Sequence, residues 1–345
     1  MAKKKRKPRF KPITVTQAKA EIKKRWDVLT EQRVAAETAL DKYREELMAR
    51  PDVHGMHVGV KRIKDKMVSP ITFCIRIHVQ TKLKKGHPRL IHPLPVELDG
   101  ISVDIWESSY QLLGGDPADD YHQTLAGGIP FVWEGDPGNY GTLGIRVTSN
   151  NQPMMLTNRH VVGDKGNVVI QPPSKKVPSG SAVVGKVKRA VINSTVDCAI
   201  VEPDKNLVGP GKERQLIDGI KNGTSMLPGN FEIGQLDFRD QLFRTKVFKI
   251  GAVTGRRDGR VKTIAGSVLI PGQGFSISQI IVDSSSSSRI VQGGDSGSLL
   301  IKQETIGGNV VNRIVGLVTA EVNGGRSLVA SHFSNVASAL GIELP

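Results

Sequence analysis

From about residue 125 to residue 330 the chain is written in short apolar, often β-branched runs, each broken within a few residues by glycine, proline, asparagine or aspartate. The runs fall at 143–147, 168–170, 182–187, 199–201, 247–250, 268–270, 280–282, 299–301 and 314–319. Many short strands joined by frequent turns predict a β-sandwich or barrel. Beyond them Phe333, Val336, Ala337 and Leu340 stand at helical spacing and Gly341 supplies a stop, so a closing helix is predicted over about 331–341. No internal repeat of fixed period is visible, which argues against solenoids and propellers.

The first hundred residues have a different texture. Ile22, Trp26, Leu29, Ala36, Leu40, Tyr43 and Leu47 recur at three-to-four spacing across residues 14–50, with Arg33 in the slot that would complete the stripe and Pro51 as the stop. This pattern predicts one long amphipathic helix. Two uses of its apolar face stay open: docking on a neighbouring sheet, or a short coiled coil with a protein partner or a second copy. Strands are predicted around 57–60, over 72–79 with alternating Phe73, Ile75, Ile77 and Val79, and over 101–106 after the Asp99-Gly100 turn signal. Residues 82–95 are basic and contain proline, as an exposed connection would, and Gly114-Gly115-Asp116-Pro117 marks a linker. The expected organisation is a basic disordered arm (1–12), a helix with a small α+β module (13–112), a linker (113–124) and a β-rich domain (125–345).

Forty-eight Lys and Arg against 33 Asp and Glu leave a net charge of +15 on 345 residues, which raises the question of nucleic acid. Seven of those charges belong to Lys3, Lys4, Lys5, Arg6, Lys7, Arg9 and Lys11, leaving eight for the other 334 residues. Nearly half of the excess is therefore a tail. Such a run is a solvated arm or a contact for phosphates, nucleic acid or an acidic partner. With Phe10 as its one aromatic residue it offers no stacking platform for single strands, so nucleic acid is not expected as the main partner.

Cys74 and Cys198 lie far apart and belong to no metal-type or redox-type pair, which excludes a disulfide framework and favours a reducing, cytoplasmic setting. The start MAKKKRKPRF is not followed by an apolar run, so no secretory signal is expected, and no stretch approaches the ~20 apolar residues of a membrane span. His54 and His57 have no third ligand motif nearby and are read as exposed loop histidines rather than a metal site.

Three segments at the edges of apolar runs carry chemistry: Leu156-Thr157-Asn158-Arg159-His160-Val161-Val162, Val196-Asp197-Cys198-Ala199-Ile200-Val201, and Gly293-Gly294-Asp295-Ser296-Gly297-Ser298. A serine is a poor nucleophile until an imidazole removes its proton, and that imidazole needs a carboxylate to fix its tautomer. The chain supplies all three, in the order His, Asp, Ser. In these segments the sequence resembles the chymotrypsin-like (trypsin-like) serine peptidases, whose chain order this is. Gly141-Thr142-Leu143-Gly144 is similar to a strand that precedes the family's histidine. Val315-Gly316-Leu317-Val318-Thr319-Ala320 resembles the strand that pairs with substrate backbone, and Lys249 to Gly255 followed by Gly259-Arg260-Val261 resembles a hairpin at the start of the second barrel.

The resemblance implies a mostly β fold: a chymotrypsin-like double β-barrel, with barrel 1 at about 125–205, barrel 2 at about 245–330 and the C-terminal helix after them. It implies a serine endopeptidase in which His160 is the general base, Asp197 its orienting partner and Ser296 the nucleophile. The backbone amides of Gly294 and Ser296 would form the oxyanion hole. Thr319 falls where the family usually has a serine next to the catalytic carboxylate. Ile290, six residues before Ser296, implies an apolar pocket floor, and Ala320 and Glu321 would stand at the pocket entrance, where Glu321 either narrows it or favours a basic side chain. Protein or peptide substrates are expected, with no metal or organic cofactor and no membrane. The alternative is a catalytically silent fold of the same kind, acting as a binding module with the basic arm on nucleic acid or an acidic partner.

Several positions depart from the secreted members. Val161 replaces the cysteine beside the histidine, in keeping with a fold that holds without disulfides, and Cys198 reads as an apolar filler. No clear Ile-Val-Gly-Gly activation sequence exists; Leu125-Ala126-Gly127-Gly128 is the nearest analogue. Zymogen-type members pair a freed N-terminal amine with the aspartate before the nucleophile, so Asp295 either finds another partner or waits for proteolytic activation.

Overall fold

Thr14 opens the first helix with a reciprocal cap: its hydroxyl accepts from the Gln17 amide at 3.2 Å while the Gln17 side chain accepts from the Thr14 amide at 2.9 Å. The periodicity predicts one helix from here to residue 50, but the computed structural model has two, Val15–Lys24 and Trp26–Met48, broken at Arg25. The break has a tertiary cause. Arg25 donates to the Ile71 carbonyl at 3.2 Å and to Glu21 at 2.8 Å, and Glu21 in turn accepts from the Ile71 amide at 2.7 Å. The break is a kink at one residue, since Arg25 still donates to the Glu21 carbonyl at 3.1 Å and accepts from the Leu29 amide at 2.9 Å, and it goes with a clamp on a neighbouring loop. The apolar stripe survives the break: Ile22, Leu29, Ala36, Leu40 and Leu47 are buried. Trp26–Met48 lies on strands Val53–Val60 and Phe73–Val79, so its face is used inside the chain.

The structure describes residues 11–63, 66–82, 93–112, 121–174, 182–205, 215–271 and 273–345. The basic arm up to Phe10, the connection at 83–92 and the Gly114–Pro117 linker therefore lie outside the described residues. Lys11 and Pro12, expected in the disordered arm, form a short strand antiparallel to Lys66–Ser69. Two units are present, Met1–Ser108 and Ser109–Pro345. In the first, Phe73–Val79 pairs antiparallel with Val53–Val60 and parallel with Ile101–Glu107, matching the three predicted strands. His54 and His57 correct the sequence reading: both lie on strand Val53–Val60 rather than in a loop. His57 is fully buried, with its Nδ1 3.1 Å from His78 Nε2.

The second unit contains two large curled sheets and a three-stranded one, Ser225–Pro228, Gln215–Asn222 and Thr124–Gly127 in that order. In the first, the strands run in the order Gly141–Thr142, Pro130–Trp133, Val168–Ile170, Val183–Ile192, Asp197–Pro203, Gln152–Thr157 and Ile145–Ser149. The first and last of these are continuous in sequence. Leu143 donates to Ile129 at 2.9 Å on one side and Gly144 to Leu156 at 2.8 Å on the other, so the two ends of the sheet meet and the sheet closes. In the second, Lys246–Gly251, Leu299–Ile306, Asn309–Val322, Ser327–His332, Gly274–Ser284 and Gly255–Ile270 pair in that order, and Gly255–Ile270 pairs back to Lys246–Gly251. That is a closed six-stranded barrel. The predicted hairpin at 249–255 is its first turn.

Closure hides strand edges and leaves each barrel one inward face. Between the barrels, Ile145, Leu156, Cys198 and Ile200 of the first pack with Phe248, Ile250, Leu299 and Leu317 of the second, and with Phe333, Val336 and Leu340 of the helix Phe333–Leu340. The helix ends at Gly341 with φ 62°, as its sequence predicts. Short motifs at the ends of Leu156, Ile200 and Leu299 strands are thus anchored in one shared core. Among the described residues no helix is long and apolar enough to cross a membrane.

Phe333 is 1% exposed and touches this shared core. Phe333→Ala is expected to cost about 3–5 kcal/mol of unfolding free energy, measured by denaturant titration.

Candidate active site

Strand Gln152–Thr157 pairs with Asp197–Pro203, with Thr157 opposite Ala199, and a single helical turn, Arg159–Val162, follows it. That turn swings His160 back over the start of the neighbouring strand, where Asp197 is the first residue. The Asn158 side chain donates to the Asp197 carbonyl at 2.6 Å, fixing the turn to the strand. The Arg159 and His160 amides donate to Asp197 Oδ1 at 2.7 and 3.2 Å. The other oxygen, Oδ2, accepts from His160 Nδ1 at 2.5 Å. On the far side of the ring, His160 Nε2 lies 2.8 Å from Ser296 Oγ. The residues named from the sequence are brought together in one chain of hydrogen bonds.

Asp197 is 3% exposed. Burial is the largest influence on its carboxyl and works to raise it. The charge of His160, the bonds from its ring and amide, and a bond from Gln273 outweigh burial and hold the group below the usual carboxylate range. With an ionised carboxylate at Oδ2, the imidazole proton is held on Nδ1 and the Nε2 lone pair faces the serine.

Gln273 is a residue that sequence reading missed. It sits in the turn between strands Gly255–Ile270 and Gly274–Ser284, and its side-chain amide donates to Asp197 Oδ2. Thr319, expected beside the carboxylate, does something else: its hydroxyl donates to the Leu317 carbonyl at 3.4 Å, and its carbonyl lies 3.2 Å from Ser296 Oγ. The donor to Asp197 thus comes from a different strand pair. Nothing in local pattern marks Gln273, because the turn reaches the carboxylate across 76 residues of chain.

The loop around Ser296 is shaped by two glycines in the left-handed region, Gly294 at φ 91° and Gly297 at φ 89°. At Gly297 a Cβ would stand 2.3 Å from the Thr142 carbonyl, so only glycine fits. Thr142 ties the loop to the first barrel: its amide donates to the Ser296 carbonyl at 2.7 Å and its hydroxyl to the Gly294 carbonyl at 2.7 Å. The amides of Gly294 and Ser296 donate to no acceptor among the described residues.

Between those two residues Asp295 points the other way, into the second barrel, and is fully buried. Lys249 Nζ meets its Oδ2 at 2.6 Å, and neither side chain has any exposed surface. The Thr254 hydroxyl donates to Oδ2 at 2.7 Å and the Gln292 amide at 3.0 Å, while the Val253 and Thr254 amides reach Oδ1 at 3.1 Å each. Lys249 also donates to the Thr254 hydroxyl. Burial pushes the Lys249 ammonium below the ordinary lysine value, and the Asp295 carboxylate draws it partly back. Asp295 has found its partner inside the fold.

The four residues expected at a substrate pocket fall in different settings. Ile290 is fully buried, with its amide bonded to the Gly325 carbonyl at 2.8 Å, and packs with Val261, Val282 and Leu328 in the second barrel. Ala320 belongs to a cluster with Tyr110, Val268 and Ile281, whereas Thr319 and Glu321 flank it, 2% and 5% exposed. Cys198 is buried in the inter-barrel core and its thiol is pushed up to about 12 by burial, with the Asp197 charge adding to the effect.

Two closed barrels with the site carried on their facing edges make the second unit a chymotrypsin-like double β-barrel. Among solved structures this chain is similar to protease A of Thermobifida fusca, at 17% identity and TM-score 0.47 over 64% of this chain and 98% of that one. It is also similar to a chymotrypsin of Cellulomonas bogoriensis, at 16% and 0.44 over the same shares, and to a Nocardiopsis protease, at 17% and 0.45, again over 64% and 98%. No family model matches the sequence, and no curated protein matches it.

Two outcomes test the geometry. Lys249→Met leaves Asp295 buried without its cation and is expected to cost about 3–5 kcal/mol in chemical denaturation. Asp197 has a folded-state affinity for protons lower than its unfolded one, so its stabilising contribution is present above about pH 4 and is lost as pH falls through the lower folded value. The stability gap between wild type and Asp197→Asn should therefore narrow as unfolding is followed from neutral pH down to about pH 2.

Proposed function

We propose that the chain is a serine endopeptidase working through an acyl-enzyme. The observation that carries this reading is the His160 ring, bonded to Asp197 Oδ2 at 2.5 Å and to Ser296 Oγ at 2.8 Å through its two nitrogens. In this reading Ser296 Oγ attacks the scissile carbonyl as its proton passes to His160 Nε2. Asp197 holds the imidazole and stabilises the imidazolium, and Gln273 acts as a positioning residue behind it.

The amides of Gly294 and Ser296 hold the oxyanion, where charge develops most. His160 then gives its proton to the leaving amine, and a water activated by the same nitrogen hydrolyses the ester. Protein or peptide chains are the substrates. Ile290, Thr319, Ala320 and Glu321 remain the residues proposed to set preference for the side chain before the cut, with Glu321 the one carboxyl among them.

The Lys249–Asp295 pair supports a further part of the reading. A cation already sits on Asp295 at 2.6 Å, so the nucleophile loop needs no freed N-terminal amine to be held in shape. Proteolytic activation is then not required for the triad to form.

A fluorophosphonate probe tests the proposal directly. Ser296 is expected to be labelled, with label lost in Ser296→Ala; well-folded wild type that takes no label would overturn the enzyme reading in favour of a silent binding module. Gln273→Ala is expected to lower kcat about tenfold or more with a smaller change in KM, in steady-state assays on a small ester.

A further inference from the structure

The nucleophile loop lies along one edge of strand Asn309–Val322: Gly297 donates to the Val318 carbonyl at 2.9 Å, Val318 to the Ser298 carbonyl at 2.9 Å, and Ser296 Oγ lies 3.2 Å from the Thr319 carbonyl. A polypeptide that offers its carbonyl to Ser296 must bring its acyl-side residues past Thr319, along the next stretch of that same edge. The stretch is 320–322, and in this chain it is filled. Strand Tyr110–Leu112 pairs there, with Tyr110 opposite Val322, Gln111 opposite Glu321 and Leu112 opposite Ala320.

Direction matters as much as place. The pairing is antiparallel, so Tyr110–Leu112 runs from Val322 toward Ala320, that is, toward Thr319 and Ser296. A substrate's acyl side would run the same way. The strand is also anchored at its start: Ser109 donates to the Asn323 side chain at 2.9 Å and accepts from the Asn323 amide at 2.9 Å. The Tyr110 side chain is 5% exposed and packs with Val268, Ile270, Ile281, Ala320, Val322 and Val329. An occupied ladder and a buried aromatic anchor together make a built contact.

We infer that Tyr110–Leu112 is an intramolecular occupant of the substrate strand and holds the full chain in a self-inhibited state. The inference rests on the endopeptidase reading of the same site. An extended peptide must displace the strand to add to the edge, so its binding carries the cost of breaking the ladder and exposing Tyr110. A small reagent that needs only Ser296 and the oxyanion amides makes no claim on the edge. The two kinds of ligand should therefore respond differently when the strand is loosened.

The test uses the full chain and two variants. Gln111→Pro removes a backbone donor from the middle of the strand, and Asn323→Gly removes the side chain that accepts from Ser109 while tolerating the φ of 55° found there. Each is compared with wild type for fluorophosphonate labelling of Ser296 and for kcat/KM on peptides extended by four residues on the acyl side. Labelling rates within about twofold of wild type, with extended-peptide kcat/KM raised about tenfold or more through a lower KM, would support the inference. Equal labelling with no gain on extended peptides in either variant would overturn it and leave the endopeptidase reading standing. No labelling of folded wild type and folded variants alike would overturn that reading, and the inference with it. Thermal melts identify a variant that has lost its fold, and the other variant then decides.

Discussion

The placement of Ser296 depends on an ion pair that solvent never touches. Lys249 comes from the first strand of the second barrel and Asp295 directly precedes Ser296, and together they pin the loop to the barrel interior. Removing two charges from water is costly, and their attraction repays it only when the remaining hydrogen-bonding capacity is also met. Asp295 meets that condition with a hydroxyl and three backbone amides besides the ammonium. The amides of Gly294 and Ser296, on either side of it, donate to no acceptor among the described residues.

Thr157 lies at the end of a strand whose Leu156 is in the inter-barrel core, and the next three residues carry the chain to His160. Asp197 opens a strand whose Cys198 and Ile200 are in that core, and Leu299 enters it three residues after Ser296. Three separated segments of chain thus reach one place because one apolar cluster holds a residue close to each. Packing fixes the strands to within a fraction of an ångström, and short turns carry the polar groups the remaining distance.

The sequence made some of this legible and hid the rest for physical reasons. The strands, the closing helix with its Gly341 stop and the three polar segments could be read because each is local: alternation, spacing and a few adjacent residues carry the signal. The partner of Asp295 could not, since 46 residues separate it from Lys249 and the pairing exists only once the barrel closes. A hint was present in Val247-Phe248-Lys249-Ile250, where a charge interrupts an apolar run that barrel closure then buries. Gln273 gave no such hint, because its place is set by a long hairpin folding back on the first barrel. The helix break at Arg25 escaped periodicity for the same reason, its cause being a loop near Ile71. The strand Tyr110–Leu112 is three residues beside a glycine-rich stretch, too short for alternation to register.

Cys198 adjoins Asp197, whose carboxylate is bonded to His160, yet its thiol is pushed up to about 12 by burial, and Cys74 in the other unit is likewise pushed up to about 12, with burial the leading cause. Thiolate is the reactive form, and neither residue supplies it at neutral pH while the fold is intact. Alkylating reagents and shifts in thiol redox poise should therefore pass the folded chain by. Each unit carries its own silent thiol, Cys74 in the first and Cys198 in the second, so the rate at which each becomes modifiable reads out the opening of that unit alone.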